Sequence, residues 1–425
     1  MIYWFRSDLR LLDNPAFSRA CAGAPWLLPV YVHAHDESRW GFPRVSAHRR
    51  AALAAALTGL SLRLRARGSG LLQLTGRPGE LLPRLARSVG AAAVACEAIA
   101  APEEEAEVAA LRAAGLAVEP VWQSSLLEPA ALPFAVERLP DVFTAFRQAV
   151  EKAGVRARAP EGEPSVLPGL PALDWAQWGH PWVVSPEGSV EHPGMVSPEG
   201  SAGLRHLAQY FGRKLAHTYK ATRNGLTGPD FSSRFSPWLA TGALSARTIG
   251  AALEQFEREH GANEGTDWLR FELLWRDYFR FLHLKYGKKL YRARGLSEAP
   301  PPKHDAAAFD RWRRGETGEP FVDAGMRELA ATGWLSNRMR QVVASSLVHE
   351  LGGDFRAGAA WFESQLIDYD VYSNQGNWLY IAGRGTDPRG GRKMNPQKQA
   401  REHDPDGSYR ALWAGAGVAG ERGPR

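Results

Sequence analysis

One stretch of helical composition groups an acid, a cation and an indole at spacings that bring them together. Within residues 268–277, Arg276 follows Glu272 by four positions and Trp275 follows it by three. Positions three and four apart share one face of an α-helix, so the three side chains form a candidate site. The alternative is a solvated ion pair beside a core tryptophan.

A second stretch places amides and a guanidinium on one helix face. Asn337, Arg340 and Gln341 stand at positions i, i+3 and i+4. A helix inside a domain that presents these groups is costly unless each of them finds a partner. They are therefore candidates to bind a polar ligand, and the alternative is an exposed helix start.

A third stretch carries two carboxylates close to two amides. Asp368 and Asp370 are followed by Asn374 and Asn377. Their spacing does not fit a calcium loop, which needs a regular series of oxygen ligands ending in Glu, so no metal site is predicted. One Asp could neutralise Arg340, leaving the other to accept a hydrogen bond from a heterocycle N–H.

A fourth stretch is a hydroxyl-rich turn. Ser232, Ser233, Arg234 and Ser236 directly precede Pro237. Hydroxyls and a cation in a turn could cradle a diphosphate. Serine-rich turns are common, so alone this indication is weak.

The elements expected to position these residues differ between the two ends of the chain. The first part alternates β-rich runs with helical segments, which is typical of a doubly wound parallel sheet. No GxGxxG follows the first strand and no Walker A sequence occurs, which disfavours ordinary NAD or NTP binding. The expected strands are Ile2–Phe5, Leu27–Val32, Leu71–Thr75, Ala91–Ala95 and Val118–Trp122.

A linker rich in Pro, Gly and Glu follows and then a helical region. The linker contains the hexapeptide VSPEGS twice, at 184–189 and 196–201, which indicates a slipped duplication. Helical periodicity then predicts an all-α region, with one long helix over Thr266–Lys285 that Thr266 can cap. The expected organisation is an α/β domain at 1–125, a linker at 126–202, a helical domain at 203–413 and a tail at 414–425.

Composition limits the class of protein. The chain has 425 residues, 52 Lys+Arg against 46 Asp+Glu (net +6), two cysteines and 15 tryptophans. Two cysteines exclude a Cys-rich metal centre and fit a reducing compartment. Charges near the N-terminus and the lack of a long apolar run predict a soluble, cytoplasmic protein that does not enter a membrane.

These stretches, in this order, resemble the photolyase/cryptochrome flavoproteins. The opening run Trp4–Arg10, the segment LLWRDYFRF (Leu273–Phe281) and the run Trp334–Gln341 carry the resemblance. It implies a Rossmann-like α/β domain joined by a long linker to an all-α C-terminal domain that binds FAD. It also implies light-driven splitting of cyclobutane pyrimidine dimers by an electron from excited reduced FAD.

The resemblance assigns roles residue by residue. Glu272 would hydrogen-bond the carbonyl edge of the lesion, Asn337 would face the flavin, and Arg340 would pair with Asp368. The other implied contacts of FAD are Tyr219, Ser232, Ser233, Arg234, Phe235, Ser236, Glu272, Arg276, Asp370 and Asn374.

Within the family the chain is most similar to the DASH group. Trp275 would stack on the flipped lesion, and Tyr380 and Gln341 stand where photolyases of double strands tend to carry Trp and Met. A more polar pocket favours single-stranded DNA, where unpairing costs little. A monomer acting on such DNA is expected, and the alternative is a blue-light receptor that signals through the flavin redox state.

Two features depart from the family pattern. Trp378 matches the family's flavin-proximal electron donor, but Phe355 stands where the middle Trp belongs and residues 300–305 contain no Trp. Trp361, Trp312 or Tyr372 are candidates to replace the missing members. A methenyltetrahydrofolate antenna is also implied, with Glu97, Glu103 or Glu104 as its candidate contacts; the alternative for these acids is an N-terminal helix turn.

Overall fold

The structure is a computed structural model that describes residues 1–33, 40–179 and 202–415. Both copies of the VSPEGS hexapeptide lie outside the described residues, as do residues 416–425 of the expected tail. No helix within the described ranges is long and apolar enough to cross a membrane.

The N-terminal unit is a five-stranded parallel sheet flanked by helices, as the strand–helix alternation predicts. The sheet order is β3-β2-β1-β4-β5, so the strand order reverses between β1 and β4. Each expected strand is confirmed to within two residues at its ends. The elements are β1 (Ile2–Phe5), α1 (Pro15–Gly23), β2 (Leu28–His33), α2 (Ala47–Arg65), β3 (Leu72–Thr75), α3 (Pro78–Val89), β4 (Ala93–Glu97), α4 (Pro102–Ala113) and β5 (Ala117–Val121).

Both faces of this sheet are apolar because helices cover both of them. Side chains of β1 alternate between two core clusters: Ile2 and Trp4 pack in one, Tyr3 and Phe5 in the other. All four are buried. The continuous run IYWF is thus a fully buried parallel strand rather than an amphipathic one.

The segment between the two units carries short helices of its own. Two 3₁₀ turns, Pro129–Ala131 and Val136–Arg138, precede α5 (Phe143–Lys152) and α6 (Trp175–Trp178). Phe143 and Phe146 of α5 are buried in the same cluster as residues of the helical unit. This part of the expected linker is therefore packed onto the helices that follow it.

All regular elements in the described part of the C-terminal unit are helices. Its helices are α7 (Ala202–Gly212), α8 (Leu215–Thr222), α9 (Ser236–Thr241), α10 (Ala246–His260), α11 (Glu264–Tyr286), α12 (Ala306–Arg314), α13 (Pro320–Thr332), α14 (Asn337–Ser345), α15 (Phe355–Gln365), α16 (Val371–Ala382), α17 (Pro396–His403) and α18 (Ser408–Trp413), with a 3₁₀ turn at Gly287–Tyr291 and a π-helical turn at Ser346–Glu350. The expected fold class is confirmed.

Buried polar contacts join the two units. Arg247 of α10 forms an ion pair with Asp13 at 3.0 Å, and both side chains are almost completely buried. The Leu9 N–H donates to the Thr241 carbonyl at 3.0 Å. At Gly242, where φ is +78°, an added Cβ would lie 2.1 Å from the Ser7 carbonyl oxygen, so the backbones meet too closely for any other residue.

Candidate functional site

Helix α11 carries the acid, the cation and the indole identified in the sequence, but it begins earlier than expected. Asn263 is the N-cap, and its side chain accepts from the N–H of Gly265 and of Thr266. The Thr266 hydroxyl accepts from the Asn263 N–H and completes a capping box. The expectation that Thr266 caps the helix was therefore wrong by three residues.

Glu272 takes a partner from another helix rather than from its own. Arg223, directly after α8, donates to Glu272 Oε1 at 2.5 Å, and the Trp268 indole N–H donates to the same oxygen at 3.1 Å. Burial raises the pKa of the Glu272 carboxyl despite the opposing effect of Arg223. The alternative of a solvated Glu272–Arg276 pair does not describe this site.

Arg276 and the cation one turn later, Arg280, both donate to Ser124, and Arg280 also pairs with a carboxylate. Arg276 donates to the Ser124 carbonyl. Arg280 is 2% exposed and pairs with Asp370 at 2.5 Å. Asp370 also caps α16 by accepting from the Ser373 N–H, so its carboxylate is held by the protein itself.

The amides and the Asp368 carboxylate meet around one cavity, here called the amide-lined cavity. Arg340 pairs with Asp368 at 2.7 Å, and the Asp368 side chain is almost completely buried. This ion pair is the one expected from the sequence. The cavity lining includes Asn337, Arg340, Gln341, Asp368, Asp370, Asn374, Asn377 and Trp378.

The serine-rich turn leads into α9, and its arginine is already engaged. Arg234 adopts φ +49°, donates to the Gly228 carbonyl at 2.9 Å and lies 4.1 Å from the centre of the Trp334 ring. Its guanidinium therefore holds the turn together. Phe235 is buried, which leaves Ser232, Ser233 and Ser236 as the polar groups available to a ligand.

Tyr219 of α8 lies near the Glu272–Arg223 pair. Burial raises the pKa of the Tyr219 phenol, and the charge of Glu272 adds to the effect. The phenol therefore stays protonated beside this acid.

Trp275 and Tyr380 face a second cavity, here called the aromatic cavity. Their ring centres are 6.3 Å apart in an edge-to-face arrangement. Gln341, the third expected lesion contact, lines the amide-lined cavity instead. The structure thus brings Trp275 and Tyr380 together and leaves Gln341 beside Asn337.

Trp378 is buried between the amide-lined cavity and a run of aromatic rings. The Trp312 ring centre lies 6.2 Å from it and the Phe362 ring centre 5.1 Å from it. At Gly358 of α15 an added Cβ would lie 2.2 Å from the Trp378 ring, so α15 packs directly on the indole. Trp361 packs against Phe42, which connects through Phe309 to Trp312.

The acids proposed for an antenna line two cavities, and Glu104 borders both of them. Glu103 and Glu104 line a cleft between the two units, together with Trp40 and Phe42. Glu97, at the carboxyl end of β4, lines the other cavity with Glu104. Burial, with the neighbouring Asp8 charge, raises the pKa of Glu97 to about 7.

Sequence reasoning missed three cations and one ring. Arg223 follows Tyr219 by four positions, and Arg280 follows Arg276 by four, so helical spacing could have drawn attention to both. Arg338 lies beside Asn337 and donates to Asn224 at 2.9 Å. Phe143, the ring that stacks on Trp275, lies in the expected linker, although Phe143, Phe146 and Val150 at i, i+3 and i+7 indicate a helix there.

Two family models match this chain. Residues 1–165 match the model described as DNA photolyase, and residues 268–416 match the FAD binding domain of DNA photolyase. The cofactor is therefore FAD. The amide-lined cavity offers amide, guanidinium and carboxylate groups around one space, and these suit the donor and acceptor edge of a flavin ring.

Full-length relatives agree with these models. Cryptochrome DASH of Gloeobacter violaceus is 42% identical over 97% of this chain and 85% of its own length, and chloroplastic/mitochondrial cryptochrome DASH of Arabidopsis thaliana is 42% identical over 97% and 75%. A Synechocystis cryptochrome structure matches with a TM-score of 0.89 at 40% identity, covering 97% of this chain and 88% of that one. The structure of an archaeal photolyase from Sulfolobus tokodaii, solved with two FAD molecules, matches with a TM-score of 0.76 at 25% identity. The match covers 97% of this chain and 90% of that one. The chain therefore belongs to the photolyase/cryptochrome family, among relatives of the cryptochrome DASH type.

Proposed function

We propose that this protein splits cyclobutane pyrimidine dimers in DNA, with a preference for single strands, in a light-driven reaction. Reduced FAD, when bound and excited, supplies the electron that splits the dimer and takes it back afterwards, so no net oxidation occurs. The proposal includes a monomeric, cytoplasmic enzyme.

The observation that carries the proposal is the position of the stacking surface. Trp275 lies on α11 and Tyr380 on α16, and α16 also lines the amide-lined cavity through Asn374 and Trp378. A lesion stacked on Trp275 would therefore lie next to the space assigned to the flavin. Such proximity is what electron transfer between the two requires.

Glu272 is assigned to the pyrimidine carbonyl edge. A raised pKa keeps a larger share of this carboxyl protonated, so it can donate to a carbonyl oxygen on which negative charge develops. Arg223 and Trp268 both hold the same carboxyl oxygen. They fix the orientation of Glu272 and leave its second oxygen available.

Asn337 and Arg340 are assigned to the flavin ring. The Arg340–Asp368 pair fixes a guanidinium at the wall of the amide-lined cavity. A fixed cation there would favour an anionic reduced ring. Tyr219, Ser232, Ser233 and Ser236 are assigned to the phosphates and the ribitol, and Asp370, Asn374 and Arg276 to the rest of the cofactor.

Tyr380 and its neighbours support the preference for single strands. The Tyr380 hydroxyl accepts from Arg389 at 3.2 Å and from Arg392 at 3.3 Å. This phenol gives a smaller and more polar stacking surface than an indole, which makes it harder to hold a base pair open. The two arginines supply attraction to the DNA backbone that does not depend on sequence.

Photoreduction is assigned to a route through Trp378 and Trp312. Phe355 is buried and has no ring contact with Trp378 in the described part of the chain, whereas Trp312 does. We expect Trp312→Phe to slow photoreduction of bound FAD several-fold, because phenylalanine is far harder to oxidise than tryptophan. The loss of flavin absorbance under blue light with an external thiol measures this, with Trp413→Phe as the control. Unchanged rates in Trp312→Phe and in a double variant with Trp361→Phe would rule the route out.

The cleft between the units is assigned to a methenyltetrahydrofolate antenna. Glu103 and Glu104 supply acceptors there, and Trp40 and Phe42 supply apolar surface. An absorption spectrum of the purified protein, compared with that of FAD alone, tests whether a second chromophore is bound.

The single-strand preference is tested by illuminating the reduced protein with the same dimer in a single strand and in a duplex. Faster loss of the dimer from the single strand is expected. Equal rates of dimer loss from the single strand and the duplex would contradict the preference for single strands. If the dimer is lost from neither, a light receptor is favoured over an enzyme.

A further inference from the structure

Trp275 does not stand alone on α11: one face of its indole is covered by a ring from outside the helical unit. Phe143, the first residue of α5, stacks on it with ring centres 3.8 Å apart and planes 11° apart. Phe279 and Tyr380 contact the indole at 5.5 Å and 6.3 Å without stacking. Among the described residues, Phe143 is therefore the ring that stacks parallel to the Trp275 indole.

Phe143 is itself held firmly. Its side chain is 5% exposed. It makes edge-to-face or tilted contacts with Phe271 at 5.1 Å, Tyr278 at 5.6 Å and Phe146 at 6.1 Å. A ring packed by three others cannot swing away to expose the covered face of Trp275 without disrupting this cluster.

Polar contacts fasten the chain just before Phe143 onto α11. Lys285 donates to the Leu139 carbonyl and pairs with Asp141, both at 2.7 Å. The Tyr286 hydroxyl donates to Asp141 at 2.6 Å, and the Tyr278 hydroxyl donates to the Pro140 carbonyl at 3.2 Å. Residues 139–141 are thus bound along the same helix that carries Trp275.

We propose that Phe143 is a positioning residue for lesion binding: it backs the Trp275 indole and holds it ready to stack on the substrate. This inference rests on the lesion-stacking role proposed above for Trp275. The indole borders the aromatic cavity, so without its backing the ring would be packed on fewer sides and could adopt other rotamers. Binding would then have to order the ring again, which weakens affinity.

The test is the affinity for a dimer-containing single-stranded oligonucleotide, measured in the dark on the FAD-bound protein. We expect Phe143→Leu to bind about three- to tenfold more weakly, from the cost of ordering one freed side chain. Phe143→Tyr keeps the ring and should restore affinity. In a Trp275→Ala background, Phe143→Leu should have no further effect, because the indole that it positions is gone.

Phe281→Leu is the matched control for mere loss of core packing. Phe281 is fully buried in the same cluster and contacts Phe146, but it has no ring contact with Phe143 or Trp275 among the described residues. We expect it to lower thermal stability as Phe143→Leu does, while affinity for the lesion stays unchanged. An equal loss of affinity in both variants would overturn the positioning role.

The remaining outcomes separate this inference from the proposed function. If Trp275→Ala weakens binding but Phe143→Leu binds normally or more tightly, only the positioning role is overturned. If Trp275→Ala itself binds like the wild type, the lesion-stacking role fails, and the positioning role fails with it.

Discussion

Replacing Trp275 with alanine should weaken binding of a dimer-containing single strand about ten- to a hundredfold, since stacking of a base on an aromatic ring contributes about 1–3 kcal/mol. The FAD content should stay normal, because Trp275 lines the aromatic cavity and is not among the residues lining the amide-lined cavity. Equilibrium binding in the dark and the flavin absorbance of the purified variant measure the two effects.

Trp413→Ala, in the short helix α18, is the matched control for the loss of an indole. It should leave affinity for the lesion unchanged. Loss of flavin from Trp275→Ala would contradict the assigned role, because it would place the indole in the cofactor site rather than at the lesion.

Replacing Arg280 with methionine should lower the free energy of unfolding by about 3–5 kcal/mol, the usual cost of removing one partner from a buried ion pair. The Arg280 side chain is 3% exposed and that of Asp370 is 16% exposed. Without Arg280, fewer favourable contacts would offset the cost of burying the Asp370 carboxylate, which also caps α16. Urea unfolding followed by circular dichroism, with and without FAD, measures the change.

The same variant should have a different acid dependence. Burial alone would raise the pKa of Asp370, but Arg280 and Arg276 more than offset it and hold that pKa well below its usual range. The stability from this pair is therefore present above pH about 4 and lost as the pH falls below it. Arg280→Met lacks this pair, so its stability should fall less than that of the wild type as the pH drops below about 4. Arg270→Met, which removes a more exposed pair with Glu257, should cost at most about 1 kcal/mol.

The sheet could be predicted closely because its signals are local. The run IYWF and the other short β-rich segments are separated by helical segments of typical length, and this alternation determines a parallel sheet. The ends of the strands differ from the expectation by up to two residues, as for Ala93–Glu97. Composition does not define where hydrogen bonding between neighbouring strands begins.

The ion-pair partners in the site could be predicted only where a charged residue had one evident, oppositely charged partner among the sequence motifs. Arg340 and Asp368 pair as expected. Arg223 and Glu272 are 49 positions apart and meet only because α8 packs against α11, so no local pattern connects them. Arg280, which the sequence motifs did not single out, pairs with Asp370, whereas Arg276 donates to the Ser124 carbonyl.

Phe143 shows the limit of reasoning from composition. Phe143, Phe146 and Val150 stand at i, i+3 and i+7, so helical periodicity could have predicted α5, but composition does not show that its rings pack against α11. Whether a loop-like segment is free or fastened depends on contacts such as those of Lys285 and Asp141, which are far apart in sequence.

Dimer loss under light tests the central claim most directly. The purified protein, with its FAD chemically reduced, is mixed with a single-stranded oligonucleotide containing one cyclobutane dimer, and the dimer is counted with and without blue light. We predict that the dimer disappears only in the light, over many turnovers, and that the flavin remains reduced because the electron returns. Bound FAD with no light-dependent loss of the dimer would contradict the account.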